Sequence, residues 1–179
     1  MKCPNCSSFE SKHIELDNSL EAYCCSECKG VWIPSRNYIK FVSQNNFSYE
    51  GLDENIFSLI FSDKDSQNAK VCPDCGKAVV SSKAGFGASF YVDRCDNCFG
   101  IWLDENEWEK LKEKGLHTAI YYMFSSSWKH KVRKQTQMEI KVQSIKDNFE
   151  PEQAQKILDF MNWLVNQEDK DKIQSFLIS

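Results

Sequence analysis

A chain of 179 residues can hold one medium domain or two small ones. Its formal charge of −4, from 22 basic and 26 acidic residues, suits a phosphate backbone poorly, and no apolar run of about 18 residues is present to cross a membrane. Nine cysteines in a chain where Met1 leads directly to Cys3, with no cleavable leader, predict a cytoplasmic protein whose thiols bind metal rather than pair as disulfides.

The chain opens with C-P-N-C, Cys3 to Cys6. After 18 intervening residues it continues as C-S-E-C-K-G-V-W, Cys25 to Trp32. A C-x-x-C turn points two sulfurs the same way and fills half a tetrahedron. The intervening stretch is long enough for a β-hairpin that brings back the second pair. Ser35 reads as the N-cap of a short helix through about Ser43, which closes a first ribbon at residues 1–43. Residues 44–69 form a polar linker. Within it Leu52, Ile56, Leu59 and Ile60 fall at helical spacing and predict a short amphipathic helix from Leu52 to Phe61, expected to pack within the molecule.

The pattern then returns at residues 70–115. C-P-D-C-G begins at Cys72, and C-D-N-C-F-G-I-W runs from Cys95 to Trp102. Cys25, Cys28, Gly30 and Trp32 map onto Cys95, Cys98, Gly100 and Trp102 with one offset of 70, and Cys3 and Cys6 map onto Cys72 and Cys75 with an offset of 69. Each copy therefore supplies four thiols to a closed site: Cys3, Cys6, Cys25 and Cys28 in the first, Cys72, Cys75, Cys95 and Cys98 in the second. A four-thiolate site leaves no position for water or substrate, so two structural zinc ions are expected, with a rubredoxin-like iron site as the alternative for the same ligands. Cys24 aligns with Arg94 rather than with a ligand and reads as a bystander.

Gly85 and Gly87 turn the second hairpin, and Phe90, Tyr91, Val92, Ile101 and Leu103 supply apolar surface. Trp32 and Trp102 are read as small-core residues, each under its own zinc hairpin, rather than as ligand-stacking groups. Asp104 with Glu107 three residues on reads as a capping box for a helix from Glu105 to Lys114, stopped at Gly115. Glu105, Glu107 and Glu109 are expected to complement the helix dipole and face water.

The segment from Val92 to Leu111, V-D-R-C-D-N-C-F-G-I-W-L-D-E-N-E-W-E-K-L, closely resembles the second half of the bacterial zinc ribbons related to transcription factor IIB. The second repeat follows that family's pattern from Cys72 to about Leu111, with Phe99 where the family usually has glycine. The first keeps Cys3, Cys6, Cys25, Cys28, Gly30 and Trp32, but Ile33-Pro34 replaces Leu103-Asp104, and Ser35 and Asn37 replace Glu105 and Glu107. The two ribbons cover somewhat less than half the chain. The resemblance implies the ribbon fold, carries less about function, and is compatible with a helical tail, which similar proteins often carry.

Residues 116–179 read as that tail. Phe124, Trp128, Val132, Gln135, Met138, Val142, Ile145 and Phe149 recur at steps of three and four, predicting one apolar seam on a helix from about His117 to about Phe149, with Ser125 to Ser127 disfavouring helix and reading as a kink or a break before Trp128. Pro151 starts a second helix reaching Asn166, with Ile157, Leu158, Met161, Leu164 and Val165 inward, and Asp169 to Ile178 forms a third. The tail either folds back as a helical hairpin or forms a homodimer through its long helix. The expected fold class is thus a small zinc-bound α+β protein: two tandem four-cysteine ribbons followed by an α-helical C-terminal tail.

The run Trp128 to Lys134, W-K-H-K-V-R-K, is locally basic. Two zinc–thiolate sites, each worth −2, take the total charge to about −8, which weighs against phosphate contacts. His13, His117 and His130 stand beside no nucleophile, and no phosphate-binding glycine loop is present, so no enzyme is expected. The favoured reading is an adaptor that binds another protein through the ribbons and tail. The alternative is a nucleic-acid-binding or transcription-associated regulator using the second ribbon and residues 128–134.

Overall fold

The computed structural model describes residues 1–17, 19–45 and 70–177; the predicted Leu52–Phe61 helix lies outside them. The chain divides into two compact units, Met1–Val132 and Arg133–Ser179.

In the first unit each ribbon is a three-stranded antiparallel sheet followed by a helix. The first comprises β1 (Ser11–Glu15), β2 (Glu21–Cys25), β3 (Val31–Ile33) and α1 (Ser35–Gln44). The second comprises β4 (Val79–Gly85), β5 (Ala88–Cys95), β6 (Ile101–Leu103) and α2 (Glu107–Glu113). The β4–β5 turn has Phe86 and Gly87 both at positive φ, as the tight hairpin turn matched to strand twist requires.

The ribbons do not stand apart. They merge into one six-stranded sheet of order β1-β2-β3-β6-β5-β4. The seam is antiparallel pairing of V-W-I with I-W-L: Val31 opposite Leu103, Trp32 opposite Trp102, Ile33 opposite Ile101. All six residues are buried, so these three-residue strands are apolar throughout rather than alternating.

The pleat sends the tryptophans to one face and their neighbours to the other. On one face Trp32 and Trp102 form a cluster with Cys3, Cys25, Cys72, Cys95 and Val79. On the other, Val31, Ile33, Ile101 and Leu103 join Tyr38 and Phe41 of α1, and Trp108 and Leu111 of α2, in the main core. The tryptophans thus pack across the ribbon boundary, a different arrangement from one under each hairpin. A Cβ added to Gly30 would lie 2.2 Å from Cζ2 of Trp102, and one added to Gly100 would lie 2.2 Å from Cζ2 of Trp32. Each ribbon's glycine is the seat for the other's indole.

Residues after α2 lock both ribbons from the core face. The Tyr38 hydroxyl donates to the His117 carbonyl and accepts from the Ile120 N–H, both at 3.0 Å. The Tyr121 hydroxyl bonds Ser35 Oγ at 2.9 Å and the Phe99 carbonyl at 3.0 Å, touching both ribbons at once. Ser82 Oγ donates to the Met123 carbonyl, and the buried Trp128 indole donates to the Lys83 carbonyl at 3.2 Å.

Several local expectations need correction. The long helix does not begin near His117: residues Tyr121–Phe124 form a 3-10 turn, and α3 runs from Ser126 to Asn148. Ser125 breaks the run, turning its Oγ onto the Trp128 N–H at 3.1 Å as a cap. The single seam is therefore divided. Phe124, Trp128 and Val132 are core residues of the first unit, whereas Met138 and Phe149 are each 46% exposed. Ser35 is the first helical residue of α1 rather than its cap, that place being held by Pro34. α2 starts later than expected, after Asn106 at φ 65°.

In the second unit, α4 (Pro151–Val165) and α5 (Lys170–Leu177) follow the last turns of α3. Ile145, Ala154 and Leu164 are its buried apolar side chains.

The interlock predicts that Gly100→Ala destabilises the zinc-loaded protein by about 3 kcal/mol, since the backbone cannot yield to the Trp32 ring without opening the β3–β6 seam. The guanidinium midpoint should fall accordingly, and an unchanged midpoint would remove the interlock from the account.

Candidate metal centre

Each site is built from two copies of one local turn. In all four, the residue after the second cysteine takes a left-handed conformation: Ser7 (φ 61°), Lys29 (φ 56°), Gly76 (φ 69°) and Phe99 (φ 61°). Its N–H bonds back to the carbonyl of the first cysteine, at 3.0 Å for Ser7 to Cys3 and Gly76 to Cys72, and 3.1 Å for Lys29 to Cys25 and Phe99 to Cys95. That conformation is the physical reason for glycine at this position, and Phe99 occupies it against its Cβ. The Arg94 guanidinium lies 5.2 Å from the Phe99 ring and 4.4 Å from the Phe124 ring, so a buried cation holds the strained residue against the core.

The turns aim the sulfurs at a common point. Cys3, Cys6, Cys25 and Cys28 form one cluster, and Cys72, Cys75, Cys95 and Cys98 the other, with all Sγ atoms of a cluster within 4.8 Å of one another. Sγ separations are 3.6 Å for Cys3–Cys28 and Cys6–Cys25, and 3.5 Å for Cys72–Cys98 and Cys75–Cys95. A tetrahedron with Zn–S bonds of about 2.3 Å has edges of about 3.8 Å, so both sets fit a four-thiolate zinc ion with little adjustment. The sites fit two structural zinc ions. Cys24 is in neither cluster; it packs against the main core, on the other face of β2.

Within each cluster the thiols hold their protons unequally. Burial pushes Cys3 up to about 12 and Cys98 up to about 11, and raises Cys72 as well. At Cys25 burial also acts upward, but the N–H groups of Cys28 and Glu27 and the thiols of Cys6 and Cys28 bring it down to about 7. Cys75 is likewise lowered to about 7 against burial, by the Lys77 N–H and its three partner thiols. Backbone N–H groups already face sulfur, with Cys6 N–H on Cys3 Sγ, and Asn97 and Cys98 N–H on Cys95 Sγ, each at 3.4 Å. A bound zinc displaces the remaining protons, so metal affinity rises with pH.

The tryptophans tie the sites together asymmetrically. Trp32 Nε1 donates to Asp74 Oδ2 at 2.9 Å, and Asp74 lies between the ligands Cys72 and Cys75 of the other ribbon. Trp102 Nε1 donates instead to Asp104 Oδ1 of its own ribbon, also at 2.9 Å. Beside them Lys70 pairs with Asp93 and lies 3.8 Å from Asp104.

Glu107, expected to face water, is buried here, its Oε2 accepting the Asp104 N–H at 2.8 Å. This is half of the predicted capping box. Periodicity gives α2 an outer acidic face, but nothing local to Glu107 reveals that the sheet turns this residue inward.

Two outcomes follow from this geometry. Cys95→Ser should lower the zinc content from two ions to one per chain, measured by mass spectrometry of the metal; retention of two would refute the ligand set. Burial and the neighbouring Asp104 and Asp93 raise the Glu107 carboxyl to about 7 against an ordinary 4.5, with the Asp104 N–H acting in the opposite sense. Folding therefore takes up a proton: this stability is whole below pH 4.5 and is lost as pH rises through 7. Glu107→Gln keeps the hydrogen-bond acceptor and should stabilise the protein more at about pH 8 than at about pH 5, by on the order of 1–2 kcal/mol at the higher pH. Denaturant midpoints of variant and parent at both pH values check it.

Residues 2–43 and 71–114 each match the family model described as the transcription factor zinc-finger. No curated protein and no solved structure was found to match the chain. The repeated turns, the eight converging sulfurs and the two matched segments agree: residues 2–43 and 71–114 are two tandem zinc ribbons of the transcription factor zinc-finger, or TFIIB-type, family.

Proposed function

We propose that the chain is a non-catalytic adaptor, in which the zinc-held sheet is a rigid body and the C-terminal helices dock another protein. The observation that carries this reading is the exposed apolar surface that flanks the buried stripe of α4. Ala154, Ile157, Leu158, Met161 and Leu164 follow one helical face and are buried or half-buried. Phe160 and Trp163 lie off that stripe at 42% and 48% exposure, their rings 5.6 Å apart. Val165, Phe176 and Leu177 add exposed apolar surface on α4 and α5. The apolar surface of α4 thus extends beyond the face its own unit buries, and large aromatics dominate the energy of protein interfaces.

The nucleic-acid reading loses part of its support in the same region. Trp128 and Tyr122 are core residues, and Lys131 lies 5.9 Å over the Tyr122 ring, so these aromatics are not presented to bases.

With the zinc-loaded chain as bait, a protein partner should be captured by the parent and by a Lys129, Lys131, Arg133, Lys134→Ala variant, and lost with Phe160→Asp/Trp163→Asp. Labelled single- and double-stranded oligonucleotides should show no anisotropy change at about 50 mM salt. Binding there that collapses by about 200 mM and vanishes in the lysine–arginine variant would replace the adaptor with the nucleic-acid reading.

A further inference from the structure

The merged sheet has two outer strands, β1 and β4, and the chain treats them differently. Ser11 pairs with Cys25 as Val79 pairs with Cys95, so Ser11, His13 and Glu15 of β1 correspond to Val79, Ser81 and Lys83 of β4. The outer edge of β4 is partly occupied by the chain itself, at both ends: the Val79 N–H donates to the Lys70 carbonyl at 3.1 Å, and the Lys83 carbonyl accepts the Trp128 indole. Next to it, a Cβ on Gly85 would sit 2.5 Å from Val132.

Among the described residues, none covers β1 in this way. The Glu10 carbonyl and the Leu16 N–H point inward, toward Ser26 and Leu20 of the same hairpin. Backbone groups alternate along a strand, so the N–H and C=O groups of Ser11, His13 and Glu15 point outward. Among the described residues no backbone group meets them. The His13 side chain is 55% exposed, and the adjoining Phe9 is 73% exposed.

We propose that β1 is a self-association edge, occupied by β1 of a second copy of this chain in antiparallel register about a two-fold axis at His13. The strand Ser11–Glu15 is centred on His13, so this register uses every outward group. Ser11 faces Glu15 of the second copy on both sides of the axis, and about six backbone hydrogen bonds form. The Ser11 hydroxyl meets a carboxylate, the Lys12 stem lies beside Ile14 of the second copy, and Phe9 is brought against the second copy's β1–β2 hairpin. The mode is the one the chain already uses internally, where β3 and β6 join edge to edge about a pseudo-two-fold at the tryptophan pair. Because the chain lies against both ends of β4 and, among the described residues, not along β1, β1 is the edge left to pair, and the assembly closes at two copies instead of growing into a fibre. The proposal does not depend on the adaptor reading, which places its partner on α4 and α5.

Sedimentation velocity of the zinc-loaded full chain from about 5 to about 500 µM tests it, a range set by the weakness expected of so small an interface. The parent should move from the 20.8 kDa monomer toward twice that mass as concentration rises. His13→Pro removes an N–H that makes no bond among the described residues, and His13→Lys keeps the backbone but places two ammonium groups across the axis. Both variants should retain two zinc ions and stay monomeric, while Phe160→Asp/Trp163→Asp should still dimerise. A parent that is monomeric throughout overturns the proposal. So do a parent that grows past the dimer, a dimer that persists in both His13 variants, and one abolished by the α4 variant.

Discussion

The architecture depends on the three-residue pairing of β3 with β6. A single ribbon of some forty residues has too little interior to stabilise itself without metal. Here two ribbons share one: each indole is seated on a glycine that lacks the Cβ to obstruct it, and each short strand buries both of its faces. Removing either ribbon would expose the other's tryptophan and leave the inner edge of its sheet unpaired.

The seam also links the zinc sites. Four ligands, two from each site, and both tryptophans belong to one packed cluster, and the Trp32 indole is bonded to a residue within the second site's first knuckle. Zinc fixes the knuckles, the knuckles place Asp74, and Asp74 holds Trp32 over Gly100. On the opposite face residues 117–128 fasten both halves through Tyr38, Tyr121, Ser82 and Trp128. The metal sites are closed four-thiolate scaffolding, and neither the proposed β1 edge nor the proposed α4–α5 surface uses a zinc ligand.

The sites were legible in the sequence because cysteine spacing is a local code: a C-x-x-C turn carries its own geometry, and the 70-residue offset repeats it. The glycines and tryptophans of the two repeats were visible as matched positions, but their partners were not. Nothing local to Gly30 says that the indole above it is Trp102 rather than Trp32. Periodicity likewise drew one seam from Phe124 to Phe149, whereas Ser125 caps a new helix start and the core claims only its first members. Glu107 illustrates the same limit, since its burial is set by the sheet beneath α2. Phe99 is the converse case: its departure from glycine was plain in the sequence, and the structure supplies the cause, a left-handed turn restrained by Arg94.

Two zinc sites and one sheet form a single cooperative body. That cooperativity is tested most directly by withdrawing zinc with a chelator of graded strength while following released metal and tryptophan emission together. One coincident transition is expected, with both ions leaving as the Trp32–Trp102 seam opens. Release of one ion at lower chelator strength, with the other retained and the indole environment unchanged, would contradict it.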